Sequence, residues 1–452
     1  MERDPVTVRT ARRRGDVQFE WAFTARDRWA WAEPEVWTER MLEALERGVK
    51  GGRWHSLIDK VFSLENLRAA FARVKRNRGA AGVDHVSVAA FESQLEANLK
   101  KLHEDLRTGN YLPQAIKRRL IPKPGKKELR PLGIPTVRDR VVQTALRSVL
   151  EPIFEQDFAG HSYGFRPGRS CKDALRRVEA LLKEGYTHVV DADIKSYFDC
   201  IPHDRLLSLV RQKIADGRVL HLIQQFLEQE VLEGLETWTP EAGSPQGAVI
   251  SPLLSNIYLN PMDHWMAEAG FEVVRYADDL VVLCRSAVQA QAALETLQRW
   301  MTEAGLNLHP EKTCLIDYSA GEGLDFLGYH FQKTKRGHRH WPGKKSEKSL
   351  RQKVRAKTRR ANGHSLECII VALNPVLSGW YEYYKHCRNS SNFRALDGYI
   401  RMRLRSILRK RHGGKGPSRG ADHQRWPNAY FTKHGLFSMA AAHALTIQSS
   451  PR

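Results

Sequence analysis

The sequence Tyr276-Ala277-Asp278-Asp279 lies between two short apolar runs, at residues 273–274 and 280–283. Short apolar runs on either side of a tight turn predict a hairpin of two strands that carries both carboxylates at its tip. A further acid-bearing strand is predicted upstream, at residues 189–194, with Asp193 near its end. Carboxylates on neighbouring strands are the arrangement that holds two Mg²⁺ ions across an in-line phosphoryl transfer.

Further motifs surround this hairpin in a fixed order. They are Asp193-Ile194-Lys195-Ser196-Tyr197-Phe198-Asp199, Gly243-Ser244-Pro245-Gln246-Gly247, Arg130-Pro131-Leu132-Gly133-Ile134-Pro135-Thr136, Ser162-Tyr163-Gly164-Phe165-Arg166-Pro167-Gly168-Arg169-Ser170, Phe326-Leu327-Gly328-Tyr329 and Leu373-Asn374-Pro375. With these segments the chain resembles the group II intron reverse transcriptase/maturase family over about residues 50–440. A collinear series of this length is not produced by the coincidence of short motifs.

The resemblance implies an α+β fold, a right-hand polymerase with fingers and palm followed by an α-helical thumb. It also implies an RNA-directed DNA polymerase that binds its intron RNA as a maturase, assists splicing and supports retrohoming by target-primed cDNA synthesis. The partners are then structured intron RNA, an RNA template, a DNA primer or target, and dNTPs. The tail from residue 425 has no recognisable nuclease motif, so we expect the bacterial type without an endonuclease module, priming from pre-existing ends.

The resemblance assigns the catalytic and metal-binding roles to Asp193, Asp278 and Asp279, with two Mg²⁺ ions as the cofactor. Phe198, five positions after Asp193, matches the family's bulky steric gate, whose ring would clash with a ribonucleotide 2′-hydroxyl. The full set of residues expected to bind dNTP or template is Lys123, Arg130, Phe198, Gln246, Gly247 and Lys312. Asp191 stands on the same face of its strand as Asp193 and is a candidate supporting acid.

The composition is strongly basic, with 72 Lys and Arg against 51 Asp and Glu and a net charge of +21. A polyanion is therefore the expected partner. Residues 333–360 contain thirteen Lys and Arg and a single Glu, and this segment, together with residues 401–419, is predicted to bind RNA with steep salt dependence. The named RNA-binding candidates are Lys344, Lys345, Lys348, Arg351, Arg355 and Arg359.

Hydropathy and cysteine content indicate the cellular compartment in which the protein is expected. The sequence has no run of 18 apolar residues and its amino terminus is charged from the second residue, so neither a membrane span nor a signal peptide is expected. Its six cysteines are scattered without a Cys-x-x-Cys pair and are interpreted as reduced, mostly buried thiols. We expect a protein of the bacterial cytoplasm or nucleoid. The sequence does not indicate its oligomeric state.

The chain is divided into an N-terminal extension and helix (1–49), fingers with the first reverse transcriptase motifs (50–185), catalytic palm (186–332), thumb or maturase domain with a basic lead-in (333–412) and a nucleic-acid-binding tail (413–452). Apolar periodicity predicts a helix that opens at Pro34 and ends at the Gly51-Gly52 pair. It predicts two more helices within residues 53–110 and two thumb helices around residues 366–384 and 396–408.

Three alternatives remain open at this stage. One is a domesticated group II-like reverse transcriptase in host defence or DNA repair, which would use the same chemistry without an intron partner. Another is a splicing-only, RNA-binding maturase with a decayed polymerase, against which the intact acidic triad argues. An RNA-dependent RNA polymerase is countered by Phe198 and by Ala277, where such enzymes generally carry glycine.

Overall fold

The structure, a computed structural model, describes residues 25–122, 129–335, 337–361, 363–387 and 390–449. The first eight helices are α1 (Ala25–Arg28), α2 (Glu39–Arg47), α3 (Ile58–Phe62), α4 (Leu64–Arg76), α5 (Val88–Ser93), α6 (Leu95–Thr108), α7 (Val137–Glu155) and α8 (Cys171–Lys183). The strands are β1 (Ile116–Pro122), β2 (Leu129–Ile134), β3 (His188–Asp193), β4 (Val231–Glu233), β5 (Glu236–Trp238), β6 (Glu272–Tyr276), β7 (Asp279–Cys284), β8 (Cys314–Asp317), β9 (Leu324–Phe326), β10 (Tyr329–Thr334) and β11 (Gly337–Pro342). The predicted α+β class is confirmed.

The remaining helices are α9 (Tyr197–Cys200), α10 (His203–Arg211), α11 (Gly217–Leu227), α12 (Ser251–Glu268), α13 (Ala287–Glu303), α14 (Lys344–Lys357), α15 (Leu366–Tyr384), α16 (Ser390–Arg411), α17 (Gly420–Arg425), α18 (Asn428–Lys433) and α19 (Met439–Ser449). None of the helices in the described ranges is long and apolar enough to cross a membrane.

The N-terminal helices depart from the sequence prediction in two places. Helix α2 begins at Glu39 rather than Pro34, because the Thr38 hydroxyl caps it by accepting the Met41 amide at 3.4 Å. Gly48, with φ +82°, ends this helix before the predicted Gly51-Gly52 pair. Residues 53–110 form the four helices α3 to α6 instead of two, since the apolar periodicity is interrupted by the caps Ser63 and Ser87.

The palm sheet has the strand order β6-β7-β3-β8, and every neighbouring pair is antiparallel. Val190 and Val282 belong to the core formed with α12 and α13 on one face. Val189, Val281 and Leu283 face the opposite side, where they are buried with residues of α8 and the thumb. Because side chains alternate along a strand, Asp191, Asp193 and Asp279 share this second face.

The fingers sheet has the order β2-β1-β4-β5, with β1 and β2 antiparallel as predicted. The β1 strand also pairs with β4 in parallel, through Ile116 and Val231. This pairing joins the fingers to the segment that leads from the first acidic strand to residues 243–247. Residues 123–128, which include Lys123, lie outside the described residues.

The thumb joins the palm through aromatic side chains. Tyr383 donates a hydrogen bond to the Leu327 carbonyl at 2.8 Å, and Tyr384 donates to the Gly328 carbonyl at 3.1 Å. The Tyr384 side chain is buried, and its ring centroid lies 4.6 Å from that of Trp380. Loop 327–328 between β9 and β10 is therefore held directly by α15.

The C-terminal helices α17 to α19 complete this core. Phe431 and Met439 are fully buried in the same apolar cluster as residues of α15 and α16. Asp397 on α16 accepts hydrogen bonds from the backbone amides of Met439 and Ala440 at the start of α19, at 3.2 and 3.1 Å. Residues 420–449 thus pack as part of the helical thumb.

All six cysteines are free thiols, as predicted. The expectation that most are buried is wrong, because only Cys284 and Cys387 are buried and three of the six are exposed.

Candidate active site

The predicted acids meet at one end of the palm sheet. Asp193 is the last residue of β3 and lies directly opposite Asp279, the first residue of β7, in the antiparallel register. Asp278 occupies the two-residue turn that joins β6 to β7, and Ala277 before it has a φ of +60°. The cross-strand register brings together two carboxylates that are 86 positions apart in the chain, with the third beside them.

Electrostatics at this end of the sheet are unfavourable for carboxylates. Burial and the neighbouring Asp278 and Asp193 raise the pKa of Asp279 to about 6, against the opposing effect of Lys312. Burial also raises the pKa of Asp278, which the Arg130 and Arg275 guanidinium groups partly oppose. Burial, Asp279 and Asp193 raise the pKa of Asp191 to about 6. Carboxylates that repel one another in a half-buried place form a site suited to a cation.

In the structure, the ammonium group of Lys312 lies beside these carboxylates. The Lys312 ammonium contacts the Asp193 carboxylate, and residues 307–309 run beside β3, with the His309 amide donating to the Asp193 carbonyl at 2.7 Å. The described side chains include no group of three or more His, Cys, Asp or Glu residues close enough to hold a metal ion as they stand. The register brings the three predicted acids to one end of the sheet, and their metal-binding role stays a prediction.

The Phe198 ring lines a cleft of about 450 Å³ between the fingers sheet and the palm. Its side chain is 8% exposed and packs at a steep angle against Tyr197, whose hydroxyl donates to the Ser255 carbonyl at 2.7 Å. Asp199, Gly133 and Gln246 line the same cleft. Asp199 is the aspartate that lines this cleft, and the proposed role of Phe198 in selecting the sugar stays a prediction.

Comparisons with known proteins agree with this geometry. Residues 121–331 match the family described as Reverse transcriptase (RNA-dependent DNA polymerase), and residues 347–426 match Group II intron, maturase-specific domain. Protein YkfC of Escherichia coli (strain K12) is 34% identical over 286 residues, which cover 55% of this chain and 74% of that protein. The chain belongs to the group II intron reverse transcriptase/maturase family.

Two further relatives overlap the chain over shorter regions. The Group II intron-encoded protein LtrA of Lactococcus lactis subsp. cremoris is 39% identical over 186 residues, 41% of this chain and 31% of that protein. The Uncharacterized 91 kDa protein in cob intron of Schizosaccharomyces pombe is 45% identical over 137 residues, 30% of this chain and 17% of that protein. The chain thus spans less than a third of each of these two relatives.

The family membership and the enzyme class predicted from the sequence, RNA-directed DNA polymerase, are confirmed. Reverse transcriptases generally use divalent metal ions, and maturase domains act with intron RNA and other nucleic acids. The number of ions and the individual residue roles stay predictions.

Of the substrate-binding candidates, Phe198 and Gln246 line the cleft. Arg130 donates through Nε to the Gln246 side-chain oxygen at 2.9 Å, so the fingers and the palm are bridged at the cleft. Lys312 lies at the acids. Lys123 falls outside the described residues.

The structure gives a packing reason for glycine at position 247 that the sequence prediction missed. The family resemblance implies that Gly247 binds dNTP or template. Its φ is +108°, and a Cβ atom would lie 2.4 Å from the Gly133 carbonyl oxygen of β2. The Gly133 amide in turn donates to the Gln246 carbonyl at 2.6 Å. Glycine is therefore required for close packing of the palm against the fingers strand.

The predicted RNA-binding residues lie on one side of α14. Lys344, Lys345 and Lys348 are exposed, and Leu350 and Val354 pack inward on the other side. Arg351 stacks over the Tyr399 ring at 4.6 Å from its centroid, and the Arg355 Nε donates to the Tyr399 hydroxyl at 3.0 Å. Arg359, just beyond α14, is also exposed.

The second basic segment, residues 401–419, is not a continuous exposed surface. Arg405 is buried and donates to the Trp426 carbonyl at 2.8 Å. Arg403 donates to the Thr358 carbonyl at 2.7 Å, and Arg409 pairs with Asp422 at 2.9 Å. The guanidinium groups of these three arginines hold thumb segments together, and RNA binding by residues 401–419 stays a prediction.

Sequence reasoning missed two residues of the site. Arg118 on β1 lines the cleft, and its charge opposes the rise that burial produces in the pKa of Asp199. Strand alternation could have found it, because Arg118 lies two positions after Ile116, which lines the same cleft. Arg275, immediately before the Tyr276–Asp279 motif, is fully buried beside the turn. A single arginine in an otherwise apolar predicted strand could have indicated that Arg275 is buried and paired.

Proposed function

We propose that this chain extends a DNA primer on an RNA template with dNTPs, using Asp193, Asp278 and Asp279 as its essential carboxylates. The observation that carries the proposal is the β3–β7 register, which places Asp193 opposite Asp279 next to the turn that bears Asp278. In the reaction, the primer 3′-oxygen attacks the α-phosphorus of the dNTP and pyrophosphate leaves in line.

Asp193, Asp278 and Asp279 would hold two Mg²⁺ ions, because the donor set is made only of carboxylate oxygens and already accommodates the Lys312 ammonium. The ions would supply Lewis-acid activation of the primer hydroxyl and charge neutralisation of the leaving pyrophosphate. Lys312, which contacts Asp193, would then be available to screen or protonate the pyrophosphate.

The fingers contribute cations to the triphosphate. The Arg130 charge reaches the palm, since it opposes the burial-induced rise in the pKa of both Asp278 and Asp199. An arginine in this position can bind phosphate oxygens bidentately after releasing Gln246, whose amide is then available to the template or the incoming nucleotide. Lys123 is proposed to bind the same triphosphate as a point charge. Phe198 is proposed to select dNTPs over rNTPs.

The direct test is primer extension by the full chain on an RNA template annealed to a DNA primer, with dNTPs and Mg²⁺. We expect product that lengthens with time and that disappears when EDTA is added before the nucleotides. Reactions without protein and reactions with heat-inactivated protein measure the background from contaminating polymerases. Absence of extension on RNA templates over a range of Mg²⁺ concentrations would reject the proposal.

The second part of the proposed function is maturase activity, in which the exposed side of α14 binds structured intron RNA. Lys344, Lys345, Lys348 and Arg359 offer their charges to solvent there. Arg351 and Arg355 are oriented by Tyr399. A row of cations along one helix side can follow a phosphate backbone, and its affinity would come largely from counterion release.

Replacing Lys344, Lys345 and Lys348 with alanine is expected to weaken binding of a cognate intron RNA and to flatten its dependence on salt. If all three lysines contact phosphate, the log–log salt slope should fall by roughly two to three units. Splicing at low Mg²⁺ should decrease in parallel, whereas short extension on an unstructured template should change less.

The matched control replaces three exposed cations elsewhere, Arg40, Arg47 and Lys101, with alanine and lowers the net charge equally. An equal change of slope in both triple variants would mean that net charge, rather than contact by α14, sets the affinity. An unchanged slope and unchanged splicing in the α14 variant would leave that side of the helix as solvated surface.

A further inference from the structure

Arg275 is the largest charged side chain in the palm interior, and both it and its partner Asp263 are fully buried. Its Nε donates to the two Asp263 carboxylate oxygens at 2.8 and 3.0 Å. Its Nη1 reaches in another direction and donates to the Asn256 side-chain oxygen at 3.0 Å and to the Ala277 carbonyl at 2.9 Å. One guanidinium therefore connects helix α12 with the turn that carries Asp278.

The same turn is held from a second side. The Arg275 amide donates to the His161 carbonyl at 3.0 Å, and the Tyr163 amide donates to the Arg275 carbonyl at 2.8 Å. Gly164 packs so closely against the turn that a Cβ atom there would lie 2.2 Å from the Ala277 nitrogen. Asn256 closes the network by donating to the Gly164 carbonyl at 2.8 Å.

The turn needs such support because its backbone is strained. Ala277 has a φ of +60°, a conformation that costs a non-glycine residue on the order of 1 kcal/mol or more. The Ala277 carbonyl would otherwise be free to rotate with the peptide that carries Asp278. A bond from a buried, doubly anchored guanidinium fixes that peptide and with it the direction of the Asp278 side chain.

We propose that Arg275 is a positioning residue of the polymerase reaction, which acts through Asp263, Asn256 and the Ala277 carbonyl to hold Asp278 and Asp279 in their productive orientation. The inference rests on the proposed function, because it assigns a role within the same active site. The proposed role of Arg275 is more than stabilising the fold. Asp263 alone would neutralise the buried guanidinium, yet Nη1 also donates to the Ala277 carbonyl in the turn.

The test separates positioning from folding. A buried ion pair can often be replaced by apolar residues of similar volume at little cost in stability, whereas removal of one partner is strongly destabilising. The variant is therefore Arg275→Met combined with Asp263→Leu, made in the full chain. Its control is Arg73→Met combined with Glu33→Leu, which removes a partly buried pair at 2.7 Å in the N-terminal helical region.

Both double variants are compared with the wild type in melting temperature, in kcat and KM for dNTP, and in amide hydrogen exchange of residues 270–285. The palm variant should lose roughly 100-fold in kcat, with KM changed far less, because a misplaced catalytic group slows the reaction without removing substrate contacts. Exchange in the turn should be faster than in the wild type. The control variant should keep its kcat and its exchange in that region.

The outcomes distinguish the two proposals. A wild type without primer extension overturns the proposed function. A wild type that extends primers, together with a folded palm variant of unchanged kcat and exchange, overturns the positioning role alone. If the palm variant does not fold, Arg275→Lys decides, since lysine keeps the charge beside Asp263 but lacks the planar fork whose Nε and Nη1 point separately to Asp263 and Ala277. A folded Arg275→Lys enzyme with wild-type kcat would equally overturn the inference.

Discussion

Replacement of Asp278 by asparagine is expected to lower primer extension at least roughly 1,000-fold, because loss of a metal-binding charge removes several kcal/mol of transition-state stabilisation. Asn is nearly isosteric with Asp, so the two-residue turn and its bonds from Arg275 should be kept. Binding of RNA should be almost unchanged, since the exposed side of α14 lies in the thumb. Single-turnover extension and RNA affinity are the two measurements.

The control is Asp204→Asn, an equal change of charge at an exposed position in the first turn of α10. This variant should extend primers like the wild type. Extension by the Asp278→Asn enzyme at more than a few per cent of the wild-type rate would remove Asp278 from the mechanism. A parallel loss of RNA binding would indicate that the substitution had disturbed the fold.

Replacement of Phe198 by alanine is expected to admit ribonucleotides, with the ratio of rNTP to dNTP incorporation rising by roughly 100-fold. The ring forms the wall of the cleft next to Asp199 and Gln246, so its removal leaves room for a 2′-hydroxyl. Incorporation of a single dNTP should fall by less than the gain with the matching rNTP. Single-nucleotide incorporation with both substrates gives kcat/KM for each.

Loss of a buried phenyl ring also costs stability, about 3–5 kcal/mol for a Phe→Ala change in a core. The matched control is therefore Phe91→Ala, which removes a ring that is 5% exposed and stacks on Phe71 in the N-terminal helices. This variant should be destabilised with an unchanged nucleotide ratio. An unchanged ratio in the Phe198→Ala enzyme as well would make Phe198 an ordinary core residue.

Local patterns were sufficient for the strands and the acids. The hairpin around Ala277-Asp278 and the strand that ends at Asp193 follow from apolar runs and a turn between them, which act over a few residues. Their register does not follow from these runs, because both faces of the palm sheet carry buried valines. The order of the motifs then identified the family and the enzyme class, as the matches to residues 121–331 and 347–426 confirm.

Charge patterns were less informative about contacts. Arg403 and Arg409 stand in a basic segment that was assigned to RNA, yet they bond to Thr358 and Asp422 inside the thumb. The sequence carries no sign of this, since an arginine has the same charge whether it faces a phosphate or a buried carbonyl. The number of helices in residues 53–110 was also predicted wrongly. The boundaries between these short helices are set by capping residues such as Ser63 and Ser87, which the spacing of apolar residues does not reveal.

By itself, the sequence determined the palm hairpin, because strand periodicity and turn chemistry are encoded between neighbours in the chain, and its ordered motifs determined the family. The catalytic roles of the three acids are what that resemblance implies. Only the tertiary structure decided that Gly247 packs on Gly133, that Lys312 stands against Asp193 and that Arg275 holds the Ala277 carbonyl. Each of these contacts joins segments whose approach depends on the packing of whole helices and sheets. The partner of a buried charge or of a glycine is therefore set by the fold, which local sequence does not specify.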